Sequence, residues 1–428
     1  MYRVPYGRGS LTFELPSGIK ATVVESQKVP RVSNVSQAVK EALDNPVGCP
    51  PLRALAKPGD RVRIVVTDIT RACPDNLLVP PLLDELSAAG VRDEDINIVV
   101  GIGAHRASTA EEKRSKLGEE VVKRIKVVDP DPRDPEAIVS IGRTESGVPI
   151  VLSKAILDAD LLIATGIVEP HQYAGYSGGR KTVAIGVAGE ETIAFTHGPQ
   201  FLDHPKTRLG NIEGNPFHEA VTEIAERAGL KFILNVVADD DNQVVAVRAG
   251  EPREAFLALV DQARHLYTAP VDRVFDFAIA GVGFPKDANL YQASRAASYL
   301  FFAPEPVVRP GGIFIVPAKC QEGAGAGSGE QRFLAAMRDA PSIHYILEST
   351  RAHGIAPGEQ RAFVMAKVLE QNDVVIVGSE FPDIVRQAKM IPANSIEEAL
   401  DLVQARLSTN LEALIVPHAL LTLPVLGR

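Results

Sequence analysis

One stretch of the chain, from Glu169 to His197, concentrates side chains that can do chemistry. It reads EPHQYAGYSGGRKTVAIGVAGEETIAFTH and contains two histidines, a glycine-rich turn and an Arg-Lys pair. Glycine lets a backbone approach a bulky or anionic ligand, because it has no Cβ and tolerates positive φ. Beside such a turn, Lys181 can bind phosphate, or act as a nucleophile if it is desolvated next to Arg180. Histidine is the commonest side-chain metal ligand and the usual proton shuttle near neutral pH.

Polar side chains also follow three predicted strands at the point where each strand ends. Asp68 and Arg71 follow the first, His105 follows the second and His171 follows the third. In open α/β sheets, ligands bind beyond the carboxyl ends of the strands. Each residue alone is explained as readily by a cap, an ion pair or a hydrogen-bonded structural histidine. Their convergence at three strand ends favours one catalytic cleft.

A pair of imidazoles facing one carbon from opposite sides suits racemisation, since one removes a proton while the other is ready to deliver one. The C2–H bond of a 2-hydroxy acid is a very weak acid beside a carboxylate, so proton abstraction from that carbon is costly. Removal of the hydroxyl proton while hydride leaves to an acceptor is easier. Side chains supply no hydride acceptor, so this chemistry needs a cofactor.

Short β-rich runs alternate with helical patterns, which predicts an α/β protein with mostly parallel sheets flanked by helices. The nearly continuous apolar content of the runs fits strands buried on both faces. The predicted strands are Arg61–Thr67, Ile96–Gly101, Leu161–Thr165, Phe232–Val237, Phe277–Ala280, Gly312–Val316, Val374–Val377 and Ala413–Val416. The predicted helices are Pro81–Ala89, Asn215–Arg227, Pro252–Leu266, Asn289–Leu300 and Ser395–Arg406.

The length of 428 residues predicts two domains. We place an N-terminal catalytic domain at 1–268 and a C-terminal α/β domain at 274–407, with the active-site cleft between them. The run 408–428 is a candidate to cross back and complete the first domain. We expect the second domain to close over the substrate.

Composition excludes several classes of partner. A net charge of −9 and a pI near 5.6 argue against nucleic acid or an anionic membrane surface. Three scattered cysteines give neither a disulfide framework nor a metal-binding pair. No apolar run approaches the ~20 residues of a membrane span, and the N-terminus has no signal-peptide pattern. These observations predict a cytoplasmic protein.

The motif EPHQYAGYSGGRK, with His197 sixteen residues beyond Lys181, resembles the lactate racemase (LarA) family of nickel-pincer enzymes. The strings DITR from Asp68, GAHR ending at Arg106 and KDANLYQ from Lys286 resemble other signatures of that family. The resemblance runs through both predicted domains. It implies an isomerase that racemises or epimerises 2-hydroxy acids.

The resemblance also implies a cofactor, the pyridinium-3-thioamide-5-thiocarboxylic acid mononucleotide that carries Ni, called the nickel-pincer nucleotide. Lys181 would form the thioamide link, His197 would ligate nickel, and His105 and His171 would be the acid/base pair. Arg71 would bind substrate, supported by Asp68. Substrate hydride would pass to the cofactor through a transient 2-keto acid, and maturation enzymes would be transient partners. The turn residues Tyr176, Ser177, Gly178, Gly179 and Arg180 would contact the cofactor.

The chain departs from the family in the second domain. Family members offer a Gln and, three residues on, a Lys to the substrate, whereas here Gln292 is followed by Arg295. Arginine grips a carboxylate with a planar fork, so the exchange is not neutral. The chain also has no tryptophan, and therefore lacks the family's pocket tryptophan. We expect a 2-hydroxy acid other than lactate, contacted also by Lys286 and Tyr291.

Two other functions remain open on the sequence. His105, His171 and His197 could be direct ligands of Zn²⁺ or another divalent ion in a lyase or hydrolase. A non-catalytic binder of 2-hydroxy acids is the second alternative. Covalent loading of Lys181 and an activity screen would separate these functions.

Overall fold

The computed structural model describes residues 1–356 and 358–427. In this part of the chain the strands are β1 (Tyr2–Tyr6), β2 (Gly9–Phe13), β3 (Ile19–Val23), β4 (Val62–Thr67), β5 (Ile96–Gly101), β6 (Lys126–Val128), β7 (Ile138–Arg143), β8 (Pro149–Ser153), β9 (Leu161–Ile167), β10 (Pro170–His171), β11 (Gly175–Tyr176), β12 (Leu230–Ala238), β13 (Val244–Gly250), β14 (Thr268–Val271), β15 (Phe275–Ala280), β16 (Val308–Pro317), β17 (Asp373–Val377), β18 (Ile391–Ala393), β19 (Leu411–Val416) and β20 (Leu423–Leu426).

The helices of the described residues complete the α/β pattern. They are α1 (Val35–Asp44), α2 (Leu52–Leu55), α3 (Asp75–Ala88), α4 (Ala110–Leu117), α5 (Glu119–Arg124), α6 (Lys154–Leu157), α7 (Gly179–Ala184), α8 (Glu190–Thr196), α9 (Pro199–Leu202), α10 (Pro216–Arg227), α11 (Pro252–Tyr267), α12 (Leu290–Ala293), α13 (Arg295–Phe301), α14 (Ser328–Asp339), α15 (Ile343–His353), α16 (Gln360–Gln371), α17 (Pro382–Gln387) and α18 (Ile396–Arg406). A short 3-10 turn lies at Asp93–Asp95. No helix among the described residues combines the length and the apolar character that crossing a bilayer requires.

All eight predicted strands form, and the predicted α/β class is confirmed. Helix α3 begins at Asp75, six residues before the predicted start at Pro81. Prolines interrupt the backbone hydrogen bonds of a helix interior. Here the helix tolerates them because its apolar residues, among them Leu82 and Leu86, are buried. The predicted helix at 289–300 forms as two helices, α12 and α13, which meet at Ser294.

The chain divides into two compact units. The first comprises Lys28–His197 and Ile212–Leu266. It is here called the cofactor unit, after the expectation from the sequence that Lys181 carries a cofactor. The other, here called the C-terminal unit, comprises Met1–Gln27, Gly198–Asn211 and the chain from Tyr267 onward.

The cofactor unit is built on a six-stranded sheet with the order β13-β12-β9-β4-β5-β6. All its neighbours pair in parallel except β12 and β13, which are antiparallel. From β4 the chain first proceeds outward through β5 and β6, and later returns to place β9 on the other side of β4. This reversal creates a topological switch point between β4 and β9, where open α/β sheets bind their ligands.

The core of the cofactor unit explains why these elements form. Every residue of β4 and β9 is buried, as the continuous apolar runs of the sequence predict. Apolar residues of α3 pack on one face of the sheet with those of α1. The short helix α7 packs against β4, β9 and β12. The sheet therefore fixes both the strand ends and the helix that carries Lys181.

The C-terminal unit contains a second six-stranded sheet, with the order β18-β17-β16-β15-β19-β3 and all neighbours parallel. Its core combines buried residues of β15, β16, β17 and β19 with the apolar face of α18. The strand β19 lies between β15 and β3, so the N-terminal and C-terminal ends of the chain are joined in one sheet.

The division differs from the domain boundaries expected from the sequence at three places. Residues 1–27 belong to the C-terminal unit, since Ile19–Val23 pairs with Leu411–Val416. The run after residue 407 stays in that unit as well, where it pairs with β15 instead of returning to the first sheet. The segment Gly198–Asn211 also belongs there. Residues 357 and 428, which fall in the expected ranges, lie outside the described residues.

Candidate functional site

The ends of three adjacent parallel strands bring the first group of candidate residues to one edge of the cofactor unit's sheet. Strand β4 lies between β5 and β9. Asp68 directly follows β4, His105 lies in the loop after β5, and His171 follows β9 in a short hairpin formed by β10 and β11. The three strands whose ends were expected to converge are therefore neighbours in the sheet.

Asp68 and His105 are in direct contact. The Nδ1 of His105 lies 2.7 Å from Oδ2 of Asp68, and the Thr70 hydroxyl donates to Oδ1 at 2.7 Å. Burial raises the pKa of the Asp68 carboxyl, but the hydrogen bonds from His105 and Thr70 and the charges of His105 and Arg71 outweigh it, so this pKa is lowered. An ionised Asp68 accepts the Nδ1 proton of His105, which leaves the lone pair on Nε2. The imidazole side chain is 56% exposed, so Nε2 can act as a base toward a ligand.

His171 is held by the opposite hydrogen-bond pattern. Its Nδ1 accepts from the backbone N–H groups of Tyr173 and Ala174, both at 3.2 Å. An acceptor at Nδ1 places the ring hydrogen on Nε2. The ring is buried, with Tyr173 edge-on at 5.6 Å and Phe217 at 6.4 Å between ring centroids. The two candidate acid/base histidines therefore carry opposite protonation at Nε2.

Arg71 lies beside the β9 end of the site. Its guanidinium is 3.7 Å from the carboxylate of Glu169, and its own peptide N–H donates to the carbonyl of Asp68. The Arg71 side chain is 28% exposed, so a ligand can still reach its remaining donors. The sequence identified Glu169 only as part of a strand end and missed its role as the partner of Arg71.

The glycine-rich turn is packed from within by the unit's own side chains. A Cβ on Gly178, where φ is +142°, would lie 3.0 Å from the Phe256 ring, and one on Gly179 would lie 3.0 Å from Ile233. Burial also raises the pKa of the Tyr176 hydroxyl to about 12. The Ser177 hydroxyl donates to the carbonyl of Ile167 at 2.6 Å. Packing beneath the turn therefore requires these glycines, independently of any ligand.

Arg180 points into the interior of the unit. Its guanidinium carbon lies 3.7 Å from the Phe256 ring centroid, and it donates to the Thr222 hydroxyl at 2.5 Å. Burial lowers the pKa of Arg180 to about 9. His218 packs against the same ring in a tilted arrangement, and burial together with the charge of Arg180 lowers the pKa of His218 to about 3. These contacts hold Arg180 and His218 within the packing of the unit.

Lys181 and His197 form the second group. The Nδ1–H of His197 donates to the carbonyl of Ile193 at 2.9 Å, so Nε2 carries the lone pair. Burial, together with the charge of nearby Lys181, lowers the pKa of His197 to about 4. The rings of Tyr173 and Phe217 pack edge-on against it at 5.3 and 5.2 Å. A neutral imidazole fixed through Nδ1 by a carbonyl is the usual arrangement of a metal-ligating histidine.

The remaining candidates lie in the C-terminal unit. Gln292 and Arg295 are in contact, since the guanidinium donates to the amide oxygen at 3.1 Å, as the spacing of three predicts. Arg295 also donates to the hydroxyl of Tyr299 at 2.5 Å. Tyr291 packs edge-on against Phe333 at 5.7 Å. Lys286 lies in the turn that precedes α12.

Three-histidine metal ligation has no geometric support among the described residues. There, the one group of potential ligand atoms within 4.8 Å of one another is Asp239, Asp240 and Asp241, which includes none of the candidate histidines. The candidate residues therefore form a strand-end group with Asp68, His105 and His171, and a lysine–histidine pair whose His197 packs, like His171, against Tyr173 and Phe217.

Comparison with known proteins places this arrangement in an isomerase class. The model of the lactate racemase N-terminal domain matches residues 6–210, and that of the lactate racemase C-terminal domain matches residues 274–422. The chain belongs to the lactate racemase family.

Relatives and a solved structure agree with this assignment. The chain is 32% identical to lactate racemase of Thermoanaerobacterium thermosaccharolyticum over 424 residues, which is 97% of this chain and 96% of the relative. It is also 32% identical to lactate racemase of Lactiplantibacillus plantarum over 421 residues, or 97% and 98% of the two chains. The apoprotein structure of the Thermoanaerobacterium enzyme superposes with a TM-score of 0.86 at 29% identity, covering 100% of this chain and 99% of that chain.

Proposed function

We propose that this enzyme inverts C2 of a small 2-hydroxy acid, and that it does so with a nickel-pincer nucleotide attached to Lys181. The observation that carries the proposal is the opposite protonation of the two acid/base histidines. The Nε2 of His105 has a lone pair, whereas the Nε2 of His171 has a hydrogen. Inversion needs one group to take a proton and another to return one.

The residues present fit the cofactor. His197 offers a neutral nitrogen donor in an aromatic cage, and nickel accepts imidazole together with sulfur ligands. Lys181 is half-buried on α7, close enough for its charge to act on His197. When bound, such a group supplies a hydride acceptor and donor, which no side chain can provide. Maturation enzymes that build and load the group would be transient partners.

The chain's own residues supply binding and proton transfer. We assign His105 as the base that accepts the hydroxyl proton, with Asp68 holding its tautomer and stabilising the imidazolium that forms. His171 is the opposing group, buried in the unit. Its Nε2–H donates a hydrogen bond to the substrate oxygen, and it would return a proton from the imidazolium form, since loss of a proton from the neutral ring would leave a costly imidazolate. Arg71 binds the substrate carboxylate with the donors that Glu169 leaves open.

The substrate differs from lactate in this proposal, because Arg295 replaces a lysine beside Gln292. The planar fork of Arg295, already aligned by Gln292 and Tyr299, favours an additional carboxylate or another planar acceptor on the substrate.

We expect Arg295→Lys to change the ratio of kcat/KM between two hydroxy acids by about tenfold, which corresponds to about 1.4 kcal/mol. The melting temperature should change little. An unchanged ratio would place Arg295 outside the substrate contacts.

The test is an assay of the matured protein. The enzyme is produced together with the cofactor-building enzymes and incubated with a panel of optically pure 2-hydroxy acids. We expect loss of optical purity for at least one acid, and an intact-mass increment that Lys181→Ala abolishes. Retention of the increment in Lys181→Ala would contradict the attachment site. A loaded protein that binds the acids but racemises none would support the non-catalytic alternative.

A further inference from the structure

A buried ionic cluster lies directly beneath the loop that carries Arg71. Asp75, the first residue of α3, is fully buried, and Lys116, near the end of α4, is 8% exposed. The two side chains form an ion pair of 3.1 Å. Neither residue belongs to the acid/base pair, and neither was singled out by the sequence.

The carboxylate of Asp75 accepts hydrogen bonds from side chains on several elements. Its Oδ2 accepts from the hydroxyl of Thr67 at 3.2 Å, at the end of β4. Its Oδ1 accepts from the hydroxyl of Thr165 at 2.5 Å, on β9, and from the thiol of Cys73 at 3.4 Å. The carboxylate therefore joins the two strands that flank the topological switch point.

Lys116 also binds the backbone of the loop that carries Arg71. Its ammonium donates to the backbone carbonyls of Arg71 at 2.9 Å and Cys73 at 2.8 Å, in addition to its contact with Asp75. An ammonium has three N–H donors, and all three are used. The two carbonyls flank Ala72, so the backbone just after Arg71 is fixed at two points.

The cluster also connects to the cofactor-attachment helix. The backbone carbonyl of Thr165 accepts from the hydroxyl of Thr182 at 3.2 Å, and Thr182 directly follows Lys181 on α7. A continuous set of hydrogen bonds therefore runs from α4 through the loop and β9 to α7. Leaving one of the buried side chains unpaired would be costly, because water cannot replace the lost partner.

We propose that Lys116 and Asp75 are positioning residues, which set Arg71 for carboxylate binding and keep it in register with His105 and Lys181. This role rests on the proposed function of Arg71. A buried ion pair is weak evidence for stability in itself, since apolar residues can often replace it. The two hydrogen bonds from Lys116 to the backbone of the Arg71 loop are what assign the pair a positioning role.

The test compares Lys116→Met with the double variant Lys116→Met/Asp75→Asn, which removes both buried charges and so avoids an unpaired carboxylate. Lys113→Met is the matched control, because Lys113 lies one turn earlier on α4 and pairs with Asp129 instead. In matured enzyme we expect both Lys116 variants to lose about 10- to 100-fold in kcat/KM, mainly through KM. Lys113→Met should stay within about twofold of wild type.

Hydrogen exchange provides a readout that is independent of turnover. Backbone amides of residues 68–75 should exchange faster in both Lys116 variants and remain as in wild type in Lys113→Met. Recovery of full activity in the double variant would overturn the proposal. The loss in Lys116→Met would then come only from the unpaired carboxylate of Asp75. Unchanged exchange over 68–75 would overturn it as well. If wild-type enzyme racemises no acid, the proposed function fails, while the exchange result still decides whether Lys116 holds the loop.

Discussion

At the scale of single residues, hydrogen-bond partners at Nδ1 define what each histidine can do. A carboxylate at Nδ1 leaves the lone pair of His105 on Nε2, and a backbone carbonyl does the same for His197, whereas two backbone N–H groups place the hydrogen of His171 on Nε2. In the proposed function these states suit a base, a metal ligand and a hydrogen-bond donor, each determined by a neighbour at 2.7–3.2 Å.

Asp68→Asn tests the first of these roles. An amide in place of the carboxylate no longer favours the Nδ1–H tautomer and no longer stabilises the imidazolium of His105. We expect kcat of matured enzyme to fall by about 100- to 10,000-fold, with a small change in melting temperature. The control is Glu112→Gln, which removes the carboxylate that pairs with Arg106, the neighbour of His105. Comparable activity losses in the two variants would argue against a specific role for Asp68.

At the scale of elements, the turn before α7 shows how packing determines a motif. Gly178 needs positive φ, and the side of the residue where a Cβ would project is filled by Phe256 and Asn235. From the sequence alone, these glycines are expected to let the backbone approach a ligand. The structure adds a second cause, close contact with β12 and α11, which no local pattern of the sequence contains.

Gly178→Ala measures the energy of this packing. Alanine would combine strained φ with a Cβ 3.0 Å from the Phe256 ring, so we expect a loss of about 2–4 kcal/mol in the free energy of unfolding. Gly229→Ala is the control, since Gly229 has φ of +84° and a Cβ added there would meet no atom within 4 Å. That variant should lose only the cost of backbone strain, about 1 kcal/mol. Equal losses in urea unfolding would show that contact with Phe256 contributes nothing.

Periodicity and strand-end chemistry were enough to predict the strands and the edge of the sheet that carries Asp68, His105 and His171. These signals are local in sequence. The buried cluster around Asp75 was not predictable, because a lysine on a charged helix such as α4 looks solvent-exposed. Thr165, which donates to Asp75, lies 90 residues further along the chain, and only the folded sheet brings the two together.

At the scale of the whole molecule, buried histidines link stability to pH. The folded pKa of His197 is about 4, below the ordinary value of 6.5. Between these values the unfolded chain binds a proton that the folded chain does not, so stability is complete above pH 6.5 and is lost as pH falls toward 4. For a shift of this size, the loss is about 3 kcal/mol.

Thermal unfolding of apoprotein between about pH 7 and 4 checks this expectation. His197→Gln should flatten the decline of the melting temperature with falling pH, because glutamine does not titrate. His204→Gln, which changes an exposed histidine, should leave the slope as in wild type. A decline that is equally steep in all three proteins would mean that other groups, such as His218, account for it.

The pairing of Ile19–Val23 with Leu411–Val416 has a consequence for synthesis on the ribosome. Strand β3 is synthesised long before β19 and must wait without this partner until residues 411–416 have left the ribosome. The stretch 28–266 needs no such delay, apart from the excursion at 198–211. Nascent chains should therefore fold the unit that carries Lys181 first, and a product that stops before β19 would leave β3 without its neighbour and open to proteases.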